Sequence, residues 1–474
     1  PSYSLTLRIE YPNSPGMLGR VTSIIGGAGG DIGAIDIVTT ARGNITRDIT
    51  FSTANHEHGQ KIIDAVRALP KIDVVNVSDR TFLIHIGGKL EITGKVPIKT
   101  RDDLSMAYTP GVARISDNIA HDPDDVFNLT IKKNTVAIIS DGSEVLGLGA
   151  AGPLAALPVL EGKALLFKEF AGVDAFPLPM QVSSIDEMVS AARAIAPSFG
   201  AIHLEDLTSP RCFEIEKRMS EALDIPVMHN DQHGTAIVVL AGLLNAVKIT
   251  QKNLPSLRVV INSSGAAGLA TTRLLGKVGV RDIVLCGHGR AFAPDYEYSS
   301  DEAGVEIARE IVAQTNPRGV SGMLSEVLRG ADVFIGFGGR SMLTTDDIRA
   351  MNRDAIVFAM ANPEPEISPD SIQNIARVVA TGKSDFPNQI NNMLCFPGFF
   401  RGLLDARAQS INDEMKIAAA EAIAGTIGRD ELHEEHLIPS VFDRRVAKNV
   451  ATAVAQKAQE TGVARRPVRK TMGF

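Results

Sequence analysis

The sequence predicts an α/β protein with a small leading unit and two larger ones behind it. Three observations carry this. Apolar residues in the first ~85 positions follow a βαββαβ order, and from about residue 90 strand and helix patterns alternate. Beyond residue 250 a buried-looking strand runs into a glycine- and alanine-rich turn that opens a helix. The length agrees: 474 residues at about 150 per domain leaves room for about three domains.

In the first unit, Leu5 to Ile9 alternates as a strand and Asn13-Ser14-Pro15-Gly16 turns the chain. Leu18, Val21, Ile24 and Ile25 follow at helical spacing, closed by Gly26 to Gly30. Ile35 and Ile37 alternate again, as do Ile45, Ile49 and Phe51. Ile62, Ile63, Val66 and Leu69 mark a second helix, and Ile72 to Val77 a last strand. That order is a ferredoxin-like arrangement.

The middle stretch is informative where its apolar runs stop. Thr135 to Ser140 ends at Asp141, Ala201 to Leu204 at Glu205 and Asp206, and Ile225 to Asn230 at Asp231. Ligand crevices in parallel sheets lie outside the carboxyl ends of strands, so acids collected there suit a divalent cation. An isolated acid at such a place more often caps the next helix.

In the third stretch, Leu257 to Ile261 leads into Ser263-Ser264-Gly265-Ala266-Ala267-Gly268 and a helix through Val278. Further strands follow at Ile283 to Cys286, Val333 to Gly336, Ile356 to Ala361 and Val378 to Ala380. This is a doubly wound, Rossmann-like pattern. Met415 to Ala424 and Val446 to Ala458 read as helices packing back on the middle unit. The expected divisions are 1–88, 89–248, 249–415 and 416–474.

Acidic residues outnumber basic ones, 55 to 48, for a net charge of −7. With no long basic block, nucleic acid is not an expected partner. Apolar residues make 44% and charged residues 22% of the chain, a globular balance. Cys212, Cys286 and Cys395 lie far apart without paired spacing, which points to neither a disulfide framework nor a zinc cluster and suits a reducing cytoplasm. The run Val145 to Leu160 is broken by glycines and prolines, and the N-terminus shows no basic-then-apolar leader. Neither a membrane span nor a secretion signal is expected.

The string Tyr11-Pro-Asn-Ser-Pro-Gly-Met-Leu-Gly-Arg-Val21 resembles the ACT domain, which implies a regulatory module that pairs with another copy and takes a small-molecule effector. Further on, Ala107-Tyr-Thr-Pro-Gly-Val112, the stretch Val145 to Pro179, Leu204-Glu-Asp-Leu207 and Asn230-Asp-Gln-His-Gly-Thr235 resemble the malic enzyme family. So do Ala361-Asn-Pro363 and Gly382-Lys-Ser-Asp-Phe-Pro-Asn-Gln-Ile-Asn-Asn392. These motifs span the chain after the ACT-like segment, in the family's order, and bacterial members of this length occur with an ACT domain in front.

The resemblance implies metal-dependent oxidative decarboxylation of malate to pyruvate and CO2, with reduction of NAD(P), by a homodimer or higher homo-oligomer. It assigns Glu205, Asp206 and Asp231 to Mg²⁺ or Mn²⁺, Lys163 to the base, and Tyr108 to the acid that protonates C3. Asn362 and Asn391 would hold substrate carboxylates. The cofactor would meet Ser263, Gly265, Ala266, Ala267, Gly268, Arg290 and Asn362. Residue chemistry agrees: hard oxygen ligands suit Mg²⁺ or Mn²⁺, and a lysine after an apolar run loses solvent, which favours the basic form.

Several positions depart from the family pattern. Asn230 stands where most members have a second aspartate, and Ser263 replaces the first glycine of the dinucleotide loop. The strand that should end in a ribose-binding acid ends Cys286-Gly287-His288-Gly289-Arg290, and Gly338-Gly339-Arg340-Ser341 replaces Ser-Ala-Pro-Gly. Without the acid, and with Arg290 near, NADP is the expected preference over NAD. The alternatives are a relative acting on another 2-hydroxy or 2-oxo acid, one without net redox, or an ACT-regulated metabolite-binding protein that has lost catalysis.

Overall fold

The structure is a computed structural model and describes residues 3–41, 43–146, 148–263, 265–292, 305–339, 342–361 and 364–465, with the side chains of 305–308 excepted. The chain divides into two compact units, Pro1–Glu91 and Ile92–Phe474.

The first unit is β1 (Tyr3–Pro12), α1 (Met17–Gly27), β2 (Asp31–Ala41), β3 (Asn44–Thr53), α2 (His56–Arg67), β4 (Asp73–Asp79) and the short α3 (Arg80–His85). Its antiparallel sheet has the order β2-β3-β1-β4, the ferredoxin-like arrangement expected from the periodicities. Leu7 faces Ile49 and Leu5 faces Phe51 across β1 and β3. Alternation sends Leu7, Ile9 and Tyr11 inward, where Val21, Ile25, Ile62 and Val66 of the two helices cover them. Asn55 starts α2 by accepting the His58 amide at 2.8 Å.

The second unit opens with α4 (Arg101–Ala107), α5 (Gly111–His121) and α6 (Val126–Leu129). There follow β5 (Thr135–Ser140), α7 (Pro153–Ala171), β6 (Asp174–Pro179), α8 (Ile185–Ile195), β7 (Ala201–Leu204), α9 (Arg211–Ala222), β8 (Val227–His229) and α10 (Thr235–Thr250). The sheet is parallel with order β6-β5-β7-β8. Every residue of β5 and β7 is buried, because helices cover both faces, and the strands therefore read as unbroken apolar runs.

The second sheet is formed by β9 (Arg258–Asn262), β10 (Asp282–Gly287), β11 (Arg290–Ala291), β12 (Val333–Gly336), β13 (Ile356–Ala359) and β14 (Val378–Thr381). Its order is β11-β10-β9-β12-β13-β14, parallel except for β11, which folds back antiparallel on β10 at Gly287–Arg290. Helix α11 (Ala266–Lys277) connects β9 to β10, and α12 (Val305–Val312), α13 (Leu324–Val327) and α14 (Thr345–Arg349) lie in the later connections. This is the doubly wound unit anticipated from the glycine-rich turn after β9.

Three helices end the described chain: α15 (Phe396–Ala406), α16 (Asp413–Ala424) and α17 (Arg444–Glu460). Helix α16 packs on α10 and α17, while α15 packs on α17 and on α7. A Cβ at Gly398 or Gly402 would stand 2.6 Å from the Ala447 or Ala451 carbonyl, so α15 and α17 approach as closely as they do only because both positions are glycine. Although α15 lies inside the 249–415 stretch assigned to the dinucleotide unit, its aromatic face covers α7 of the catalytic sheet. Among the described residues one helix, Asn230–Thr250, is long and apolar enough to cross a membrane by length and composition, but 61% of its window is buried inside the protein.

Candidate active site

The strand-end acids converge. Ligand oxygens of Glu205 and Asp206, after β7, and Asp231, after β8, all lie within 4.8 Å of one another. Parallel neighbours in register bring these ends together: Leu204 of β7 pairs with His229 of β8. A five-residue π turn, Asn230–Gly234, then re-aims Asp231 before α10 begins. Asp141, the acid after β5, does not join them; it pairs with Arg211 at 3.0 Å.

Lys163, on α7, closes the cluster. Its Nζ is 3.1 Å from Glu205 Oε1, 3.4 Å from Asn392 Oδ1 and 4.7 Å from the centre of the Phe396 ring. The opposite oxygen of Glu205 meets His203 Nε2 at 2.6 Å. His203 is fully buried in a box of Phe167, Phe396 and Phe400, which fixes its ring edge-on to the carboxylate. Glu205 thus accepts on both sides.

The charges follow from this geometry. Burial pushes the Glu205 carboxyl up, but Lys163 and His203 outweigh it and hold it below the usual carboxylate range. Burial lowers the His203 value, keeping it neutral against the pull of Glu205. Asp206 has no such partner: burial, Glu205 and Asp231 all raise it, and its Oδ2 is buried without a hydrogen bond. Asp231 is raised by its packed surroundings and by Glu205, although 38% of its side chain reaches solvent. Three carboxylates with one orphaned oxygen and mutual repulsion form a donor set that fits a hard divalent cation.

Asn391, expected at a substrate carboxylate, lies beside Asn392, for which no role was expected. Asn391 Oδ1 accepts the Met393 amide at 2.9 Å and caps the turn ahead of α15, whereas Asn392 faces Lys163. Asn230 is fully buried and neither of its amide atoms has a partner. A Cβ at Gly234 would come within 2.3 Å of Asn230 Oδ1, so the glycine makes room for this amide. Tyr108, at the end of α4, is 67% exposed and is not among the described partners of Lys163. Asn362 lies outside the described residues, as do Arg340 and Ser341.

Sequence reasoning also passed over Glu216, on α9. It accepts the His229 amide at 2.7 Å and meets His233 at 3.0 Å, bracing both ends of the π turn. Burial raises it, but the two histidines and the amide hold it below the usual range. Its signal was thin, a single acid on an amphipathic helix.

At the second sheet, Gly265 caps α11, with Ala266, Ala267 and Gly268 in its first turn. The Ser263 hydroxyl is turned inward, accepting the Gly265 amide at 3.1 Å. Gly268 must lack a Cβ, which would fall 2.3 Å from Ser263 Cβ. Helix start and loop therefore fit a pyrophosphate. At the end of β10 a Cβ on Gly287 would lie 2.2 Å from Phe292 Cζ, so no side chain fits there. Arg290 and His288 are exposed beside it. Gly287→Asp is therefore expected to destabilise the protein by roughly 1–3 kcal/mol through overpacking, seen as a lower Tm, rather than to restore an acid at the ribose.

A parallel α/β sheet ending in a carboxylate cluster, followed by a doubly wound sheet, is the arrangement of an α/β enzyme with a dinucleotide-binding type of unit. The comparisons narrow this. Family models match an ACT domain at residues 1–76, the malic enzyme N-terminal domain at 87–220 and the malic enzyme NAD binding domain at 305–459. The chain is 52% identical to an NAD-dependent malic enzyme of Geobacillus stearothermophilus over 98% of its own length and 96% of that protein. It is 50% identical to a bifunctional malic/malolactic enzyme of Bacillus subtilis, covering 80% of this chain and 92% of the relative. The crystal structure of malic enzyme from Pyrococcus horikoshii aligns with TM-score 0.77 and 47% identity, over 81% of this chain and 89% of that one. This chain belongs to the malic enzyme family, with an ACT domain ahead of the family's two domains.

Proposed function

We propose that the protein converts malate to pyruvate and CO2 with reduction of a nicotinamide dinucleotide. The observation that carries this reading is three carboxylates within 4.8 Å with a lysine 3.1 Å from one of them, in a chain of this family. Glu205, Asp206 and Asp231 would hold Mg²⁺ or Mn²⁺, which would supply Lewis acidity when bound. Lys163 takes the C2 hydroxyl proton, and a bound dinucleotide would supply the hydride acceptor. Tyr108 protonates C3 once CO2 has gone. Asn392 orients Lys163 and takes over the carboxylate-facing position first given to Asn391, while Asn362 remains the second amide. Ser263, Gly265, Ala266, Ala267 and Gly268 carry the pyrophosphate.

The same reading places the protein in the cytoplasm, with divisions near 88, 248 and 415, and gives the ACT unit a small-molecule effector and a role in pairing. For the dinucleotide, the acid that would repel a 2′-phosphate is missing at Gly287 and Arg290 is exposed beside it. A charge-assisted contact to phosphate contributes roughly 1.5–3 kcal/mol, so NADP is expected to bind about ten- to a hundredfold more tightly than NAD. Fluorescence titration decides this; tighter NAD binding, in keeping with the name of the Geobacillus relative, defeats it.

The deciding assay supplies malate, Mn²⁺ and each dinucleotide, following CO2 and reduced cofactor separately. Equal yields of both support the oxidative reaction. CO2 without reduced cofactor favours the second reading suggested by the malic/malolactic relative, decarboxylation without net redox. No product of either kind sinks both.

A further inference from the structure

The three carboxylates are not held alike. Glu205 and Asp206 continue straight from β7, and Glu205 is gripped from two sides, by Lys163 at 3.1 Å and His203 at 2.6 Å. Asp231 sits instead in the π turn Asn230–Gly234. Its described contacts are 3.3 Å from the Asp206 amide and 3.6 Å from His229 Nε2. Neither ring nitrogen of His229 makes a hydrogen bond among the described residues. Ligating carboxylates are ordinarily held by outer hydrogen-bond partners. Asp231 must therefore take its place from the backbone that carries it. A π turn is a rare form of helix, and the turn's own side chains do little to hold this one. Both amide atoms of Asn230 and the Nε2 of Gln232 are buried without a partner.

The bracing comes from α9. One oxygen of Glu216 accepts the amide of His229, the residue before the turn, at 2.7 Å. Its other oxygen meets Nε2 of His233, inside the turn, at 3.0 Å. A single carboxylate thus ties residues 229 and 233, one on either side of Asp231. The helix behind it is fixed, because Cys212, Ile215 and Met219 of α9 are buried in the apolar core they share with β5 and β7. The two histidines and the amide hold the Glu216 carboxyl below the usual range. A carboxylate can only accept, so His233 Nε2 carries the proton between them. The Glu216 side chain is 13% exposed, and a charge this far from water is costly where an uncharged side chain would serve the fold. It has no part in the proton transfers set out under Proposed function. We propose that Glu216 is a positioning residue: by clamping His229 and His233 it sets the π turn, and through the turn the place of the Asp231 carboxylate for a divalent cation. This rests on the metal reading under Proposed function.

Calorimetric titration of the full chain with Mn²⁺, in the absence of substrate, tests it. Glu216→Ala removes both bonds and is expected to weaken Mn²⁺ binding at least about tenfold, the lower end of what outer partners of a metal ligand contribute. The Mn²⁺ concentration for half-maximal turnover should rise with it, while kcat at saturating Mn²⁺ returns toward the wild type. Glu216→Gln can keep both bonds without the charge: its oxygen accepts the His229 amide and its NH2 donates to the other tautomer of His233. It is expected to bind Mn²⁺ more tightly than the alanine variant. Met188→Ala, on α8 in the same apolar core, lowers Tm without touching the clamp and should leave Mn²⁺ affinity unchanged. A loss smaller than about tenfold in Glu216→Ala overturns the proposal. Glutamine no better than alanine assigns the effect to charge rather than to the clamp, and overturns it too. So does an equal loss in Met188→Ala, which would make the effect one of general destabilisation. Failure of the metal reading itself shows separately, as undiminished Mn²⁺ affinity in Asp231→Ala.

Discussion

Asp231→Ala is expected to abolish turnover and to remove Mn²⁺ binding detectable by calorimetry. Of the three carboxylates, Asp231 gives the cleanest test. Its side chain is 38% exposed and its described contacts are long, 3.3 Å from the Asp206 amide and 3.6 Å from His229 Nε2, so truncation breaks no close buried pair. Removing Glu205 would instead orphan Lys163 and confuse lost binding with lost folding. Undiminished Mn²⁺ affinity in the alanine variant would defeat the metal assignment. The same cluster sets a pH dependence. Asp206 is raised in the metal-free fold, so the native state holds a proton there that the unfolded chain gives up. Stability without metal therefore falls as pH climbs from the ordinary carboxylate range through the raised value. Metal must displace that proton, so Mn²⁺ affinity is expected to weaken as pH is lowered through the same window, while Mn²⁺ removes the stability loss at the high end. A Tm with and without Mn²⁺ across that range checks the sign.

What could be read in the sequence was what backbone periodicity and strand ends encode. An apolar run halted by an acid, as at Leu204-Glu205-Asp206, states both the strand and the direction its end faces. The βαββαβ pattern of the first unit likewise needed only alternation and helical spacing. Features that depend on how a turn closes were not legible. Asn391 and Asn392 differ by one position, and only the turn before α15 decides which amide caps a backbone and which meets Lys163. His203 looked like one more member of an apolar strand; its role comes from an aromatic box assembled from α7 and α15, more than two hundred residues apart. The absent acid at Gly287 was visible, but its cause, the Phe292 ring folded over that position, belongs to a hairpin. The contact of α15 with α7 was not legible either, because its glycines and aromatics read the same whichever partner they face.

Lys163→Ala is expected to lower turnover by at least about 10²-fold, the usual scale for a general base, without weakening Mn²⁺ binding. The geometry separates the two effects. Lys163 touches Glu205 through one oxygen, and its amine competes with any cation for that carboxylate. Deleting the amine removes the reacting base but leaves all three carboxylates standing. It also strands Glu205, almost wholly buried, with His203 as its remaining described side-chain partner. Breaking a buried pair in this way costs about 3–5 kcal/mol, so the metal-free variant should melt well below the wild type. Mn²⁺ at Glu205 would replace the missing positive charge, and the variant should therefore gain more in Tm from Mn²⁺ than the wild type does. A lysine that served only as a structural counter-ion would show the same drop and recovery in Tm, but turnover would return with the fold once Mn²⁺ was added. Turnover that stays at least 10²-fold down in a fully folded, Mn²⁺-loaded variant is the outcome that assigns Lys163 to the chemistry.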